Sequence, residues 1–529
     1  MEGGSNVGFK LTYSTMFDPP PEMHEHFERA LDQVMGRVGA THDLYIQGAD
    51  QVGGAVERRH SPIDRRLLLG EFAVAGADEV TRAMDAARNS FDRWRHTPAD
   101  QRVALLRRVA ALIEERVYHI AAALVLEVGK NRLEALGEVQ ETADFFALYA
   151  DDYEQHAYYE HVLPDDPLPD YASHNRSVMR PYGAWVVIAP FNFPFALAGG
   201  PVAAALVTGN TVVLKGSEET PWAGRLLADC LHDAGVPPGV FNYINGPGAV
   251  GEAMIAHHAV GGVTFTGSYA TGMSILRRLA DKDYPRPCIS EMGGKNACIV
   301  TKRADLERAA SGIVRSAYGM SGQKCSALSR LYVEAPVADE LSDRIAAAAA
   351  ALKVGDPRRK EVWMGPVTTE AAYARYPGVC EQLTGNRARL VTGGQRLAGG
   401  ELASGFFVEP VLAEAEADHP LFAREMFLPA VMMARVSSRE EAMARANDSP
   451  FGLTAGVYGD DDDVRWFQDR IEAGVTYANR PQGATTGAWP GYQPFGGWKG
   501  SSSTGKGIAS FYYLAQYQRE QSQTVVDRP

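Results

Sequence analysis

Between residues 77 and 127 the apolar positions recur every three or four residues: Val80, Met84, Ala87 and Phe91, then Val103, Leu106, Val109, Leu112, Ile113, Val117, Ile120 and Leu124. That spacing lays them along one helical face, and a turn at Thr97-Pro98 divides the stretch into two or three amphipathic helices. Downstream the period shortens. Residues 184–189 (AWVVIA), 211–215 (TVVLK), 240–244 (VFNYI) and 263–265 (VTF) are short apolar, partly β-branched runs, each separated from the next by a helix-length segment. Such alternation predicts a parallel, doubly wound sheet. The rhythm resumes after residue 291 with a strand at 296–300, a helix at 306–318, a strand at 330–333, an alanine-rich helix at 341–352, and strands near 406–411 and 430–436. This is a second α/β unit. The closing run 512–526 is aromatic and β-branched yet too polar for a central strand, so it reads as an edge or intersubunit strand.

From residue 181 to 214 no residue is charged, and hydropathy alone nominates a membrane span. Pro190, Asn192, Pro194, Gly199, Gly200, Pro201, Gly209 and Asn210 interrupt it, which predicts instead a buried strand, loop, helix and strand of a soluble protein. At roughly 150 residues per domain, the 529 residues make about three or four domain-sized units. Fifty-two Lys and Arg against 65 Asp and Glu leave a net charge of −13, which repels phosphate backbones and argues against nucleic-acid or anionic-membrane partners. The five cysteines (Cys230, Cys288, Cys298, Cys325, Cys380) show no metal-ligand spacing, so no metal site, no disulfide framework and a cytoplasmic location are expected. The first thirty residues lack a basic stretch followed by an apolar one, so no secretory signal is expected.

Several segments could carry chemistry. Cys325 lies in GMSGQKCSA, a Gly-flanked polar loop where Lys324 and exposed N–H groups could lower a thiol pKa, whereas Cys298 in NACIV reads as a buried hydrophobe. Asn192, bracketed by Pro190 and Pro194 after a strand, is either a rigidly held amide donor or an ordinary turn residue. Glu291 precedes a glycine pair at the seam of the two α/β units, as a general base or a solvated loop residue. The run FTGSYATG (265–272) opens a helix after a strand, a setting that favours pyrophosphate, and Lys215 and Glu218 follow a strand's carboxyl end, where nucleotides bind.

Taken in order, PFNFP (190–194), TVVLKGSEETP (211–221), FTGSYATG, EMGGKN (291–296), GQKCSA (322–327), FFVEPV (406–411), REMF (424–427) and QPFGG (493–497) resemble the aldehyde dehydrogenase superfamily over about residues 60 to 525. GQKCSALSRLYV, Thr486-Gly487-Ala488 before QPFGG, and ADFFALYADDY (143–153) are similar to its 1-pyrroline-5-carboxylate (glutamate semialdehyde) dehydrogenase branch. The resemblance implies an α/β fold with a Rossmann-type NAD-binding domain (1–154 and 175–290), an α/β catalytic domain (291–484) and a small β oligomerisation element (155–174 and 500–529). It implies Cys325 as the nucleophile that forms a thiohemiacetal and then a thioester, Asn192 and the Cys325 N–H as the oxyanion hole, and Glu291 as the group that activates water. Coenzyme contacts carried over are Ala189, Pro190, Phe191, Lys215, Ser217, Glu218, Gly267, Ser268, Gly272, Met292, Glu425 and Phe427. A carboxylate at Glu218 favours a free 2′-hydroxyl, which makes NAD the expected cofactor and NADP the second choice. The branch implies that Ser326 and the backbone N–H groups of Gly487 and Ala488 hold the substrate carboxylate, with Phe495 beside them.

The expected reaction is therefore the oxidation of L-glutamate γ-semialdehyde to L-glutamate, by a homodimer or higher homo-oligomer acting on a small-molecule aldehyde. Gly216, Leu428 and Trp489-Pro490 depart from the family pattern, and Trp489 and Trp498 are expected to narrow or reshape the substrate tunnel. They keep open another semialdehyde or an aromatic aldehyde as substrate. A thiol hydrolase pairing Cys325 with His257 or His258 is the alternative from a different class.

Overall fold

The computed structural model describes residues 19–167, 171–385, 387–482 and 489–527. Two seven-stranded sheets organise the chain. The first runs, edge to edge, Cys288–Glu291, Val260–Thr266, Ala184–Ile188, Thr211–Lys215, Phe241–Ile244, Leu44–Ile46 and Ala49–Gln51. Its first five strands are parallel, and the Leu44–Gln51 hairpin joins antiparallel. Side chains alternate between two helical layers because successive strand residues face opposite ways. Trp185, Val187, Val212 and Leu214 pack with the helices Ala99–Glu115, Arg132–Gln155 and Ala196–Val207, while Val186 and Val213 pack with Ala77–Arg95 and Gly248–Ala256. Burial on both faces explains the near-continuous apolar runs of these strands.

The second sheet runs Ala388–Thr392, Val411–Ala415, Ala430–Val436, Leu328–Glu334, Asn296–Val300, Thr454–Tyr458 and Val475–Ala478, parallel except at its first pair. Here the expected strand near 406–411 is displaced. Phe406 and Phe407 are buried but outside the ladder, Pro410 offers no N–H, and the strand begins at Val411. The alanine-rich helix also starts earlier, spanning Ala335–Ala350.

The uncharged stretch forms the strand Ala184–Ile188, the helix Ala196–Val207 and the strand Thr211–Lys215. Among the described residues no helix is long and apolar enough to cross a membrane. A three-stranded antiparallel sheet stands apart, ordered Gln518–Val526, Ser173–Pro181 and Glu160–Leu163. It carries the expected closing strand, and it reaches past the 174 boundary drawn from the sequence to Pro181. The N-terminal helix Pro21–Met35 and the strands between residues 40 and 60 had no sequence expectation attached to them.

Candidate active site

In the first sheet the chain steps outward from Ala184–Ile188 through Thr211–Lys215 to Phe241–Ile244, then returns to lay Val260–Thr266 on the other side of its starting strand. The connections diverge between Ala184–Ile188 and Val260–Thr266, and a crevice opens beyond their carboxyl ends, where open α/β sheets bind ligands. A cavity of about 560 Å³ occupies that position, between the two sheets. Pro190, Phe191, Asn192, Ser217, Gly267, Ser268, Met292, Cys325, Glu425 and Phe427 all line it. Ser268 caps the helix Tyr269–Ala280 by accepting the Thr271 N–H, so the first turn of that helix borders the cavity. The Glu425 carboxylate accepts the Gly294 N–H at 3.0 Å, and burial pushes its pKa up against the pull of that N–H and of Lys295. Phe427 adopts a left-handed backbone (φ 53°) and meets Phe191 edge to face at 5.8 Å.

Four of the expected coenzyme residues lie behind this lining. Ala189 is buried with its N–H on the Lys215 carbonyl at 3.1 Å. Lys215 donates to the Gly216 carbonyl at 3.0 Å, and burial pulls its ammonium down to about 8 against the charge of Glu218. Glu218 is half-buried next to this strand end. Gly272 acts by packing, since a Cβ there would stand 2.5 Å from Met292 Sδ. Thr369, Arg375 and Arg424 also line the cavity with no role assigned to them from the sequence, although Arg424 opens REMF, and the Arg375 guanidinium donates to the Met426 carbonyl at 3.0 Å within the loop that carries Glu425 and Phe427.

Cys325 follows the tight turn Gly319–Gly322 and precedes the strand Leu328–Glu334. Asn296 holds this loop by donating to the carbonyls of Cys325 and Ala327, both at 2.8 Å. Gly294 must lack a Cβ because one would stand 2.5 Å from the Cys325 carbonyl. Asn192 donates to the Gln323 carbonyl at 2.9 Å, which fixes its amide and leaves the second N–H of the NH₂ group for another acceptor. The four other cysteines are buried, while Cys325 is partly exposed. The expectation that Lys324 lowers the thiol pKa is corrected. Its ammonium pairs with Glu134 at 3.2 Å and lies over Phe193. Burial, then the charges of Glu425 and Glu291, push the Cys325 thiol up to about 12, against the pull of the Ser326 N–H.

Glu291 closes its strand with the carboxyl turned from both cavities, its Oε1 accepting the Ser502 hydroxyl at 3.0 Å. Burial pushes it up to about 8, against the pull of Ser502 and the Gly497 N–H.

A second cavity of about 70 Å³ meets the first at Cys325 and Leu197. Ser326, Phe495, Phe145, Phe193 and Trp489 border it. Gly487 and Ala488 lie outside the described residues. Trp498 is 49% exposed and pairs with Gly452, so it takes no part in this wall. His257 and His258 follow the helix Gly248–Ala256 and precede the strand Val260–Thr266, whose far end reaches the large cavity. Neither borders Cys325, which removes the thiol-hydrolase pairing.

Residues 54–522 match the profile of the Aldehyde dehydrogenase family. The chain is 36% identical over 499 residues to the 1-pyrroline-5-carboxylate dehydrogenase of Geobacillus thermodenitrificans (strain NG80-2), covering 93% of this chain and 94% of that protein. It is 35% identical over 497 residues to the protein of the same name from Bacillus pumilus (strain SAFR-032), covering 92% and 93%. Among solved structures it is similar to the 1-pyrroline-5-carboxylate dehydrogenase from Thermus with bound NAD, with a TM-score of 0.90, 33% identity, and 97% and 98% of the two chains covered. It is also similar to HpcC from Thermus thermophilus, with a TM-score of 0.87, 31% identity, and 95% and 96% covered.

Proposed function

The chain belongs to the aldehyde dehydrogenase family, and from that premise we propose that it oxidises L-glutamate γ-semialdehyde, in equilibrium with its cyclic imine 1-pyrroline-5-carboxylate, to L-glutamate with NAD as oxidant. The observation that carries this reading is the place of the Cys325 thiol at the junction of the two cavities, with the coenzyme assigned to the large one and the aldehyde to the small one.

The large cavity suits a dinucleotide. The N-terminal turn at Ser268 offers N–H groups to a pyrophosphate, and Arg375 and Arg424 add positive charge. The Glu425 carboxylate suits a ribose hydroxyl, and Phe427 and Phe191 offer faces to a ring. When bound, the coenzyme supplies the acceptor for the hydride. Glu218 supports NAD over NADP because a 2′-phosphate would meet a carboxylate.

The Cys325 sulfur adds to the aldehyde carbon as the thiol gives up its proton to water, and the second Asn192 N–H with the Cys325 N–H stabilises the oxygen that becomes negative. Loss of hydride leaves a thioester. Water then adds to that carbon, Glu291 takes the water's proton after turning away from Ser502, and the C–S bond breaks to release carboxylate and thiol. Ser326, with the Gly487 and Ala488 N–H groups that resemble the branch's anchor, receives the substrate's α-carboxylate through neutral donors. We assign the exposed three-stranded sheet to subunit contact in a homodimer or larger homo-oligomer. The five unpaired thiols support a cytoplasmic location.

The test is NADH absorbance with the semialdehyde against simple aldehydes. The semialdehyde should give the highest kcat/KM, and Cys325→Ala should abolish turnover while NAD binding persists by calorimetry. Turnover by Cys325→Ala near the wild-type rate would overturn the nucleophile assignment.

A further inference from the structure

Trp489 is the one large aromatic of the small cavity that marks this chain as a departure from the family pattern, and the structure gives it a fixed position. It is 3% exposed, and its indole N–H donates to Asp144 Oδ2 at 2.7 Å. A buried indole requires a partner for that N–H, and a carboxylate acceptor makes the bond stronger than a neutral one. Asp144 is itself held, because the Gln140 amide one helical turn earlier donates to its other oxygen at 3.0 Å. The same amide donates to Glu114 at 2.9 Å, tying the helix Arg132–Gln155 to Ala99–Glu115.

The facing walls are equally constrained. Phe145 stacks on Tyr149 at 5.9 Å, Tyr149 stacks on Tyr513 at 5.6 Å, and the Tyr149 hydroxyl accepts the Ala509 N–H at 3.0 Å. The Phe495 N–H is bonded to the Ile508 carbonyl at 3.0 Å. Phe193 sits over the buried ammonium of Lys130 at 3.5 Å. With Trp489 and Phe145 both anchored on the helix Arg132–Gln155, Phe193 on Lys130 just before it and Phe495 on Ile508, the aromatic box does not dilate to fit a wide substrate.

We infer that Trp489, pinned by Asp144, is the steric specificity determinant of the aldehyde cavity, and restricts it to short, unbranched aliphatic aldehydes while rejecting aromatic ones. Trp489 forms the wall, and Asp144 is a positioning residue that acts through the indole. The inference rests on the aldehyde-oxidising reading of the site and sharpens its substrate class.

The readout is the ratio of kcat/KM for phenylacetaldehyde to that for propionaldehyde, which reports width independently of any carboxylate anchor. Trp489→Leu should raise this ratio by about tenfold or more, within the range by which hydrophobic pockets discriminate substrates of different size. Trp489→Phe should raise it less. Asp144→Ala should raise it by freeing the indole, and Asp144→Asn, whose oxygen accepts the indole N–H only with its NH₂ turned against the Gln140 amide donor, should raise it less. If Trp489→Leu does not fold, Trp489→Phe and the two Asp144 variants carry the test. A ratio within about twofold of wild type in every folded variant except Asp144→Asn overturns the proposal; so does a wild-type enzyme that already prefers phenylacetaldehyde. Failure of the glutamate semialdehyde reading shows separately, as a wild-type kcat/KM for the semialdehyde below that for propionaldehyde.

Discussion

Glu291 is the residue whose charge state decides the second half of the proposed reaction. Its carboxyl is held in protein at a pKa of about 8, so near neutral pH most molecules carry it protonated and hydrogen-bonded to Ser502. Only the carboxylate can accept a proton from water. The rate of thioester hydrolysis should therefore rise with pH through a limb near 8, and Glu291→Gln should lower kcat and remove that limb from the pH profile measured by steady-state turnover. The same shift has a stability consequence with a definite sign. Above its ordinary value of 4.5 the unfolded chain loses a proton that the folded chain keeps until about 8, so this group's contribution to stability falls as pH rises through that window. Glu291→Gln cannot ionise, and its melting temperature should decline less between those pH values than that of the wild type. Glycine and proline punctuation raised Cys325 and Asn192 only as candidates, each with an ordinary structural alternative, and their roles came from the family resemblance. The charge environment of Cys325 was not legible. Adjacent Lys324 is spent on Glu134, and the groups that reach the thiol come from residues 291 and 425, far away in sequence.

At the level of elements, the segment that presents Asn192 is fixed by a carboxylate from a different helix. Glu138, within Arg132–Gln155, accepts the N–H groups of Phe195 and Ala196 at 2.9 and 3.2 Å, at the start of the helix Ala196–Val207. Its second oxygen pairs with Lys130, and both side chains are fully buried. Glu127 does the same for the helix Pro221–Asp233, accepting from Trp222 and Ala223. Glu138→Ala would leave the Lys130 charge buried without its partner and the helix start uncapped, a loss of about 3–5 kcal/mol. Urea unfolding should show that loss, and kcat should fall because the 190–195 loop is no longer anchored; unchanged stability would mean that Lys130 is neutral or has another partner. No local pattern announces this pairing, whereas the strands of both sheets were readable because each is a buried apolar run between turn residues. The displaced strand after residue 406 shows the limit of that reading. Phe406 and Phe407 bury as well as strand residues do, and only the absent ladder bonds distinguish them.

Over the whole molecule, exposed large apolar side chains gather on the small sheet and beside it. Val162, Val525 and Val526 are 84%, 63% and 48% exposed on its two edge strands, and Phe511 and Tyr512 precede the closing strand. Edge strands also present unpaired N–H and C=O groups, a combination that monomeric proteins usually blunt with charge or cover. A second copy of the chain is the simplest cover, since closed symmetric oligomers bury one patch against itself or a neighbour's equivalent. Sedimentation equilibrium should therefore give a mass of two chains or a higher multiple. Val162→Lys with Val525→Lys places charge on both edges without touching either cavity, so it should lower the mass toward 57.3 kDa while each chain keeps its two main sheets by circular dichroism. A wild-type chain that sediments at 57.3 kDa at micromolar concentration would rule out the subunit contact. The catalytic reading would survive that result, because every residue assigned to the cavities comes from one chain.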